Sequence, residues 1–160
     1  MGSSQTLGWI ITGIISVLAI VAIAFGYGMW SASDRLNSAT HQTSVIAADI
    51  RQFYEGSGAT DFSDLTTATA IKAGGSDFVA TGATTIPLPW TGSYITYSGA
   101  TDQFFGTAVN VAARSCAAYA RSQKTAVTVN GQQYSTANTS GIASACHTSD
   151  DNTIVFAYNK

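Results

Sequence analysis

Residues Leu7–Trp30, "LGWIITGIISVLAIVAIAFGYGMW", form a run of 24 without a single charge. As a helix rising about 1.5 Å per residue, the run spans about 36 Å, enough for a bilayer core of about 30 Å. A cleaved secretory signal has a shorter apolar core, a basic start and a small-residue cleavage site. This run is longer, and "MGSSQTLG" ahead of it holds no Lys or Arg. It therefore reads as a membrane anchor, or as a helix that leaves the membrane again. With no basic cluster on its N-terminal side, the positive-inside rule assigns it no orientation.

The helical pattern continues past the apolar run. Leu36, Ala39, Thr43, Ile46, Ile50 and Phe53 follow in steps of 3 and 4, while Asp34, Arg35, His41, Gln42, Asp49 and Gln52 occupy the other face. No Pro occurs before Pro87, and Gly is absent between Trp30 and Glu55. The spacing predicts one helix from about Thr6 to Glu55, roughly 75 Å long, ended by Gly56 and Gly58 of "EGSGATD". Its first half (7–30) is apolar all round, and its second half (31–55) is amphipathic. Gly8, Gly13, Gly26 and Gly28, with Ala19, Ala22 and Ala24, allow close approach of helices in the apolar half.

Residues 56–160 read as a small α+β head. Asp61 or Ser63 is placed to cap a short helix over Asp64–Ala70, stopped by Gly74–Gly75. Pro87 and Pro89 make "GSDFVATGATTIPLPW" a loop. Strands are predicted at Tyr94–Ser98 and Gln103–Val109. Asn110 then caps a helix in "VAARSCAAYARSQ". "KTAVTVNGQQYST" has β-branched alternation around Asn130–Gly131, the signal of a type I′ hairpin, and Thr153–Tyr158 is the last strand. The expectation is an antiparallel sheet of about four strands, with the long helix packed on one face.

Only 10% of residues are charged and the formal net charge is −2. Without a basic patch, nucleic-acid binding has no electrostatic footing. Cys116 and Cys146 are the two cysteines. Because the apolar run directs the chain to or across a membrane, they are read as a disulfide closing a loop of about 31 residues, worth roughly 3–4 kcal/mol. Adding His147 leaves a zinc site one ligand short. No catalytic constellation is legible, and no cofactor is implied. His41 lies on the polar helix face and His147 in a loop. Asp150–Asp151 form a solvated turn with too few acidic ligands for a calcium loop. "NTS" at Asn138 matches a glycosylation acceptor, a triplet that also arises by chance.

Taken together, the apolar helix, its amphipathic extension, the small head and the two C-terminal cysteines resemble a type IV pilin. The type IVb class is favoured. "QFYEGSGATDFSDLT", "NVAARSCAAYA" and "ACHTSDDNTIVFAYN" resemble segments of the major pilin of conjugative thin pili. The resemblance implies the pilin fold and a structural, non-enzymatic subunit that polymerises into a helical filament. Its filament core would hold Met1, Gln5, Leu7, Trp9, Ile10, Ile14, Val17, Ile20, Val21 and Phe25. It further implies storage in the inner membrane, cleavage by a prepilin peptidase, assembly machinery, a minor pilin or tip adhesin as partner, and a final place in an extracellular pilus serving conjugation, adhesion or cell contact. The absence of a long extension after residue 160 points to a major subunit.

Such pilins are cut after a Gly and methylated on the new N-terminus, and they usually carry Glu at the fifth mature position. Here either Met1 is the mature first residue and Gln5 stands fifth, or the cut follows Gly8, Trp9 is first and Gly13 stands fifth. A leading "MGSS" of vector origin is a third reading. The missing basic leader favours Met1. The alternatives to a pilus subunit are a pseudopilin of a type II secretion system and a monomeric single-pass protein with a ligand-binding head.

Overall fold

A helix, α1, occupies residues 31–57 of the computed structural model, which describes residues 31–59 and 61–160. The apolar run Leu7–Trp30 and the N-terminal half of the expected helix lie outside the described residues. Along α1, Ala39, Thr43, Ile46, Ile50 and Tyr54 are buried. The stripe is the expected one until its last member, where Phe53 is exposed and Tyr54 takes its place. Both residues flank the core axis of the helix. Tyr54 is selected because its hydroxyl donates to the Asp64 carboxylate at 2.6 Å and its ring lies 5.0 Å from that of Phe62.

Gln42, expected on the polar face, is buried and donates its amide to the Pro87 carbonyl at 3.0 Å. The helix runs past Gly56 and stops at Gly58. With φ +71, Gly58 lets its own N–H reach the Glu55 carbonyl while the Ala59 N–H reaches Tyr54. That is a Schellman end, in which a left-handed residue turns the chain back on the last free carbonyls.

The rest of Arg35–Lys160, a single compact unit, is built round a six-stranded antiparallel sheet, so the fold is α+β. The strands are β1 (Ile86–Pro87), β2 (Tyr94–Gly99), β3 (Gln103–Val111), β4 (Ala126–Val129), β5 (Gln132–Tyr134) and β6 (Asn152–Asn159). Their spatial order is β1-β2-β3-β6-β4-β5. The expected count of about four falls short because β1, two residues long, forms inside the expected loop and because the Asn130–Gly131 hairpin supplies both β4 and β5. Pro87 lies in β1, contrary to the loop expectation: at a sheet edge its missing N–H costs no ladder bond.

Alternation assigns one face of the sheet to the core. Ile95 and Tyr97, Phe104 and Ala108, Val127 and Val129, and Ile154, Phe156 and Tyr158 are buried there, in one cluster with the inner stripe of α1. β3 carries an irregularity between Ala108 and Val111, where Asn110 takes φ +57.

The remaining helices are α2 (Thr67–Ala73), α3 (Ala113–Ser122) and α4 (Thr139–Ala145), with a 3₁₀ turn at Gly75–Phe78. Two expected caps are displaced. Helix α2 starts three residues later than the Asp64–Ala70 reading and is capped by Thr66, whose hydroxyl accepts from the Thr69 N–H. Asp61 instead accepts from the N–H and hydroxyl of Ser63. Asn110 remains in β3 and donates to the Gly92 carbonyl. The first N–H of α3, on Ala113, is satisfied from 37 residues away by the Asp150 carboxylate at 2.8 Å.

Candidate functional site

The sequence-predicted assembly residues fall into two groups. Met1, Gln5, Leu7, Gly8, Trp9, Ile10, Ile14, Val17, Ile20, Val21 and Phe25 lie outside the described residues. Cys116 and Cys146 lie inside them and are disulfide-bonded, with Cα atoms 6.0 Å apart across a sequence separation of 30. The bond joins α3, where Cys116 is buried, to the residue that ends α4, and β4 and β5 lie within the closed loop.

Helix α4 forms in "TANTSGIASA", a stretch whose periodicity predicts no element. It is seven residues long, buries only Ile142, and contains Gly141. The one signal for it is Asn138. Its side-chain oxygen accepts the Gly141 N–H at 3.0 Å as an N-cap, so the residue of the "NTS" triplet has a structural task.

The β4–β5 turn shows why Asn130–Gly131 is there. Both have positive φ, 48 and 85, as a two-residue type I′ turn between Val129 and Gln132 requires. The Asn130 side chain then reaches across, donating to the Ala145 carbonyl at 2.8 Å and accepting from the Thr153 N–H at 2.8 Å. It also donates to the Asn152 side-chain oxygen at 2.9 Å. Asn152 is fully buried at the start of β6. Its oxygen also accepts the His147 N–H at 2.7 Å, and its amide donates to the carbonyls of Ser149 at 2.9 Å and Val111 at 3.2 Å.

Two asparagines thus knit the turn, the disulfide and residues 147–151 into one polar unit. Within it, the Asp151 carboxyl is held below the usual carboxylate range, first by the Ser149 hydroxyl and then by the His147 ring at 3.3 Å.

Helix α1 is tied to this unit by polar contacts inside an apolar core. The Thr43 hydroxyl lies 2.6 Å from the Tyr119 hydroxyl of α3, and burial pushes the Tyr119 phenol well up. The buried Gln123 amide donates to the Ser44 hydroxyl at 3.1 Å, and its carbonyl oxygen accepts from Tyr158 at 3.2 Å. The polar groups of this unit are hydrogen-bonded to one another. Among the described residues, no group of three His, Cys, Asp or Glu side chains is placed to hold a metal ion.

A family model described as PilS N terminal matches residues 33–159. The chain belongs to the PilS family. That family is type IV pilin-related, which agrees with the long helix, the antiparallel head and the disulfide, and it makes the protein pilin-like and structural in character. The PilS match begins inside α1 and ends at the last residue of β6. It therefore covers the whole polar and apolar scaffold. No curated protein and no solved structure matches the chain. Among the described residues, no helix is long and apolar enough to cross a membrane; Leu7–Trp30 lies outside that statement.

Proposed function

We propose that this PilS-family chain is a major pilin, a structural subunit that polymerises through its apolar N-terminal helix into an extracellular type IV pilus. The observation that carries the reading is the junction at residues 30–31. There an uncharged run of 24 residues leads directly into the helix that packs on the pilin-type head. The apolar half is suited to lipid before assembly and to a bundle of its own copies afterwards. Burial is similar in the two settings, so transfer between them is close to balanced. The inner membrane is then a store, and a prepilin peptidase and assembly machinery are the partners. The segments around Tyr54, Cys116 and Cys146 support a type IVb subunit of conjugative type.

The N-terminal chemistry is part of the proposal. A mature N-terminus at Met1 places Gln5 fifth. An amine buried without a counter-charge costs several kcal/mol, and Gln5 accepts a hydrogen bond from it without neutralising it. Intact mass of assembled filaments distinguishes Met1 from Trp9.

The decisive experiment is electron microscopy of filaments sheared from cells expressing the chain with its assembly genes, using gold-labelled antibody to the head. Decoration along the whole filament is expected. A chain that remains a detergent-extractable monomer, or labels only a filament end, overturns the major-subunit reading.

A further inference from the structure

Phe53 is the large hydrophobic side chain left exposed among the described residues, at 47%. On another flank of α1 lies an open groove of about 310 Å³. Ser44, Ala47, Ala48 and Arg51 form its helix side, and Lys124, Thr125 and Tyr158 line it as well. At about 100° per residue, Phe53 stands roughly 120–160° round the helix from Ala47, Ala48 and Arg51. It cannot enter the groove of its own chain. A projection on one flank and a recess on another are the two halves of a heterologous contact. Such contacts repeat head to tail into open helical filaments instead of closing on a pair.

We propose that Phe53 of one copy seats in the Ala47–Ala48–Arg51 groove of the next, and that this contact sets the spacing of neighbouring heads along the fibre. The proposal rests on the polymer reading above and names the surfaces through which it operates. Three features commit the groove to a second copy. Both complementary parts belong to this chain, on flanks of α1 that a parallel bundle of these helices turns toward each other. The small side chains of Ala47 and Ala48 leave room for a ring.

The third feature is the chemistry of the wall. Arg51 is held in place by donating to the Asn159 carbonyl at 3.2 Å, with its guanidinium 5.7 Å from the Tyr158 ring centre and 5.8 Å from that of Phe104. An incoming phenyl ring joins an existing aromatic and cation cluster. The lining residues include Arg51 and Lys124 and no Asp or Glu, so the wall offers cationic edges to an aromatic face.

The test uses the full chain assembled by its own machinery. Filaments carrying Phe53→Cys together with Ala48→Cys are sheared, oxidised and run on a non-reducing gel. A ladder extending beyond dimer, collapsed by thiol and absent from either single variant, is the expected result. Intact filaments of the pair that run as monomers after oxidation overturn the contact. A parallel pair keeps the test decisive if the double variant does not assemble. Phe53→Ala should reduce the sheared filament yield at least tenfold at an unchanged cellular level of the chain, and Phe53→Leu should restore most of it. Wild-type yield from Phe53→Ala overturns the proposal. If the wild-type chain forms no filaments, the polymer reading itself fails; if it forms them and the variants behave as wild type, only the contact does.

Discussion

At the β2–β3 end of the sheet, rings meet rings: Tyr54 on Phe62, Phe62 on Phe104, and Phe104 on Tyr158, with centroids 4.8 to 5.1 Å apart. At the β4–β5 end a disulfide and two asparagines hold the chain, and the connecting helix α4 buries one side chain, Ile142. The first end can rely on apolar area because α1 and α2 cover it. The second is short and rich in Ser, Thr, Asn and Gly, and it buries aliphatic side chains, Val127, Val129 and Ile142, in place of stacked rings. Directional bonds and a covalent closure take over where the hydrophobic effect has too little surface to act on. The polar end therefore tolerates surface change well and loss of its few fixed bonds badly.

The largest expected effect lies at the aromatic end. Phe104→Ala removes a fully buried ring shared by α1, β3 and β6 and should cost about 3–5 kcal/mol, read as a fall in the denaturant midpoint of the whole unit. A loss under about 1 kcal/mol, the low end for any buried apolar truncation, would mean that the ring stack contributes little. Next, replacing both Cys116 and Cys146 by Ala should cost about 3–4 kcal/mol by loop entropy. Hydrogen exchange should show the loss first in β4, β5 and α4, with β2 and β3 protected. Uniform deprotection would erase the contrast between the two ends.

Asn152→Ala strands several buried donors and acceptors and should cost about 1–3 kcal/mol. Asn152→Asp, which sets an acceptor oxygen against the carbonyls of Val111 and Ser149 in a fully buried position, should cost at least as much.

The smallest effect is a pH dependence. The Asp151 carboxyl has a lowered folded pKa, so its contribution is present above the ordinary carboxylate range and is lost as pH falls through the folded value. Carboxyl NMR should place Asp151 below a free aspartate, and Asp151→Asn should flatten the acid-side change in exchange of residues 147–151. An unshifted Asp151 resonance would show that this tether contributes nothing.

Much of the architecture is legible in the order of the residues. The stripe Ala39, Thr43, Ile46, Ile50 places the buried face of α1, because helical periodicity is a local property of the chain. Asn130–Gly131 places the hairpin, since few residue pairs accept two positive φ angles. Phe53 and Tyr54 are not separable by the same logic. They straddle the core axis, and the choice depends on Phe62 and Asp64, which the next turn of chain brings into place. The Ala113 N–H finds its partner in Asp150 for the same kind of reason: only the fold sets the segment before β6 beside the start of α3.

From sequence alone come the uncharged run, the amphipathic period, the turn at Asn130–Gly131 and the α+β class. Each follows from the preferences of neighbouring residues. The tertiary structure decided that Gln42 is buried, that α4 forms on an Asn138 cap, that Asn152 anchors the disulfide end, and that Phe53 and the Ala47–Ala48–Arg51 groove point away from each other. These depend on partners distant in the chain, whose approach is set by how the helix and the sheet bury their shared face.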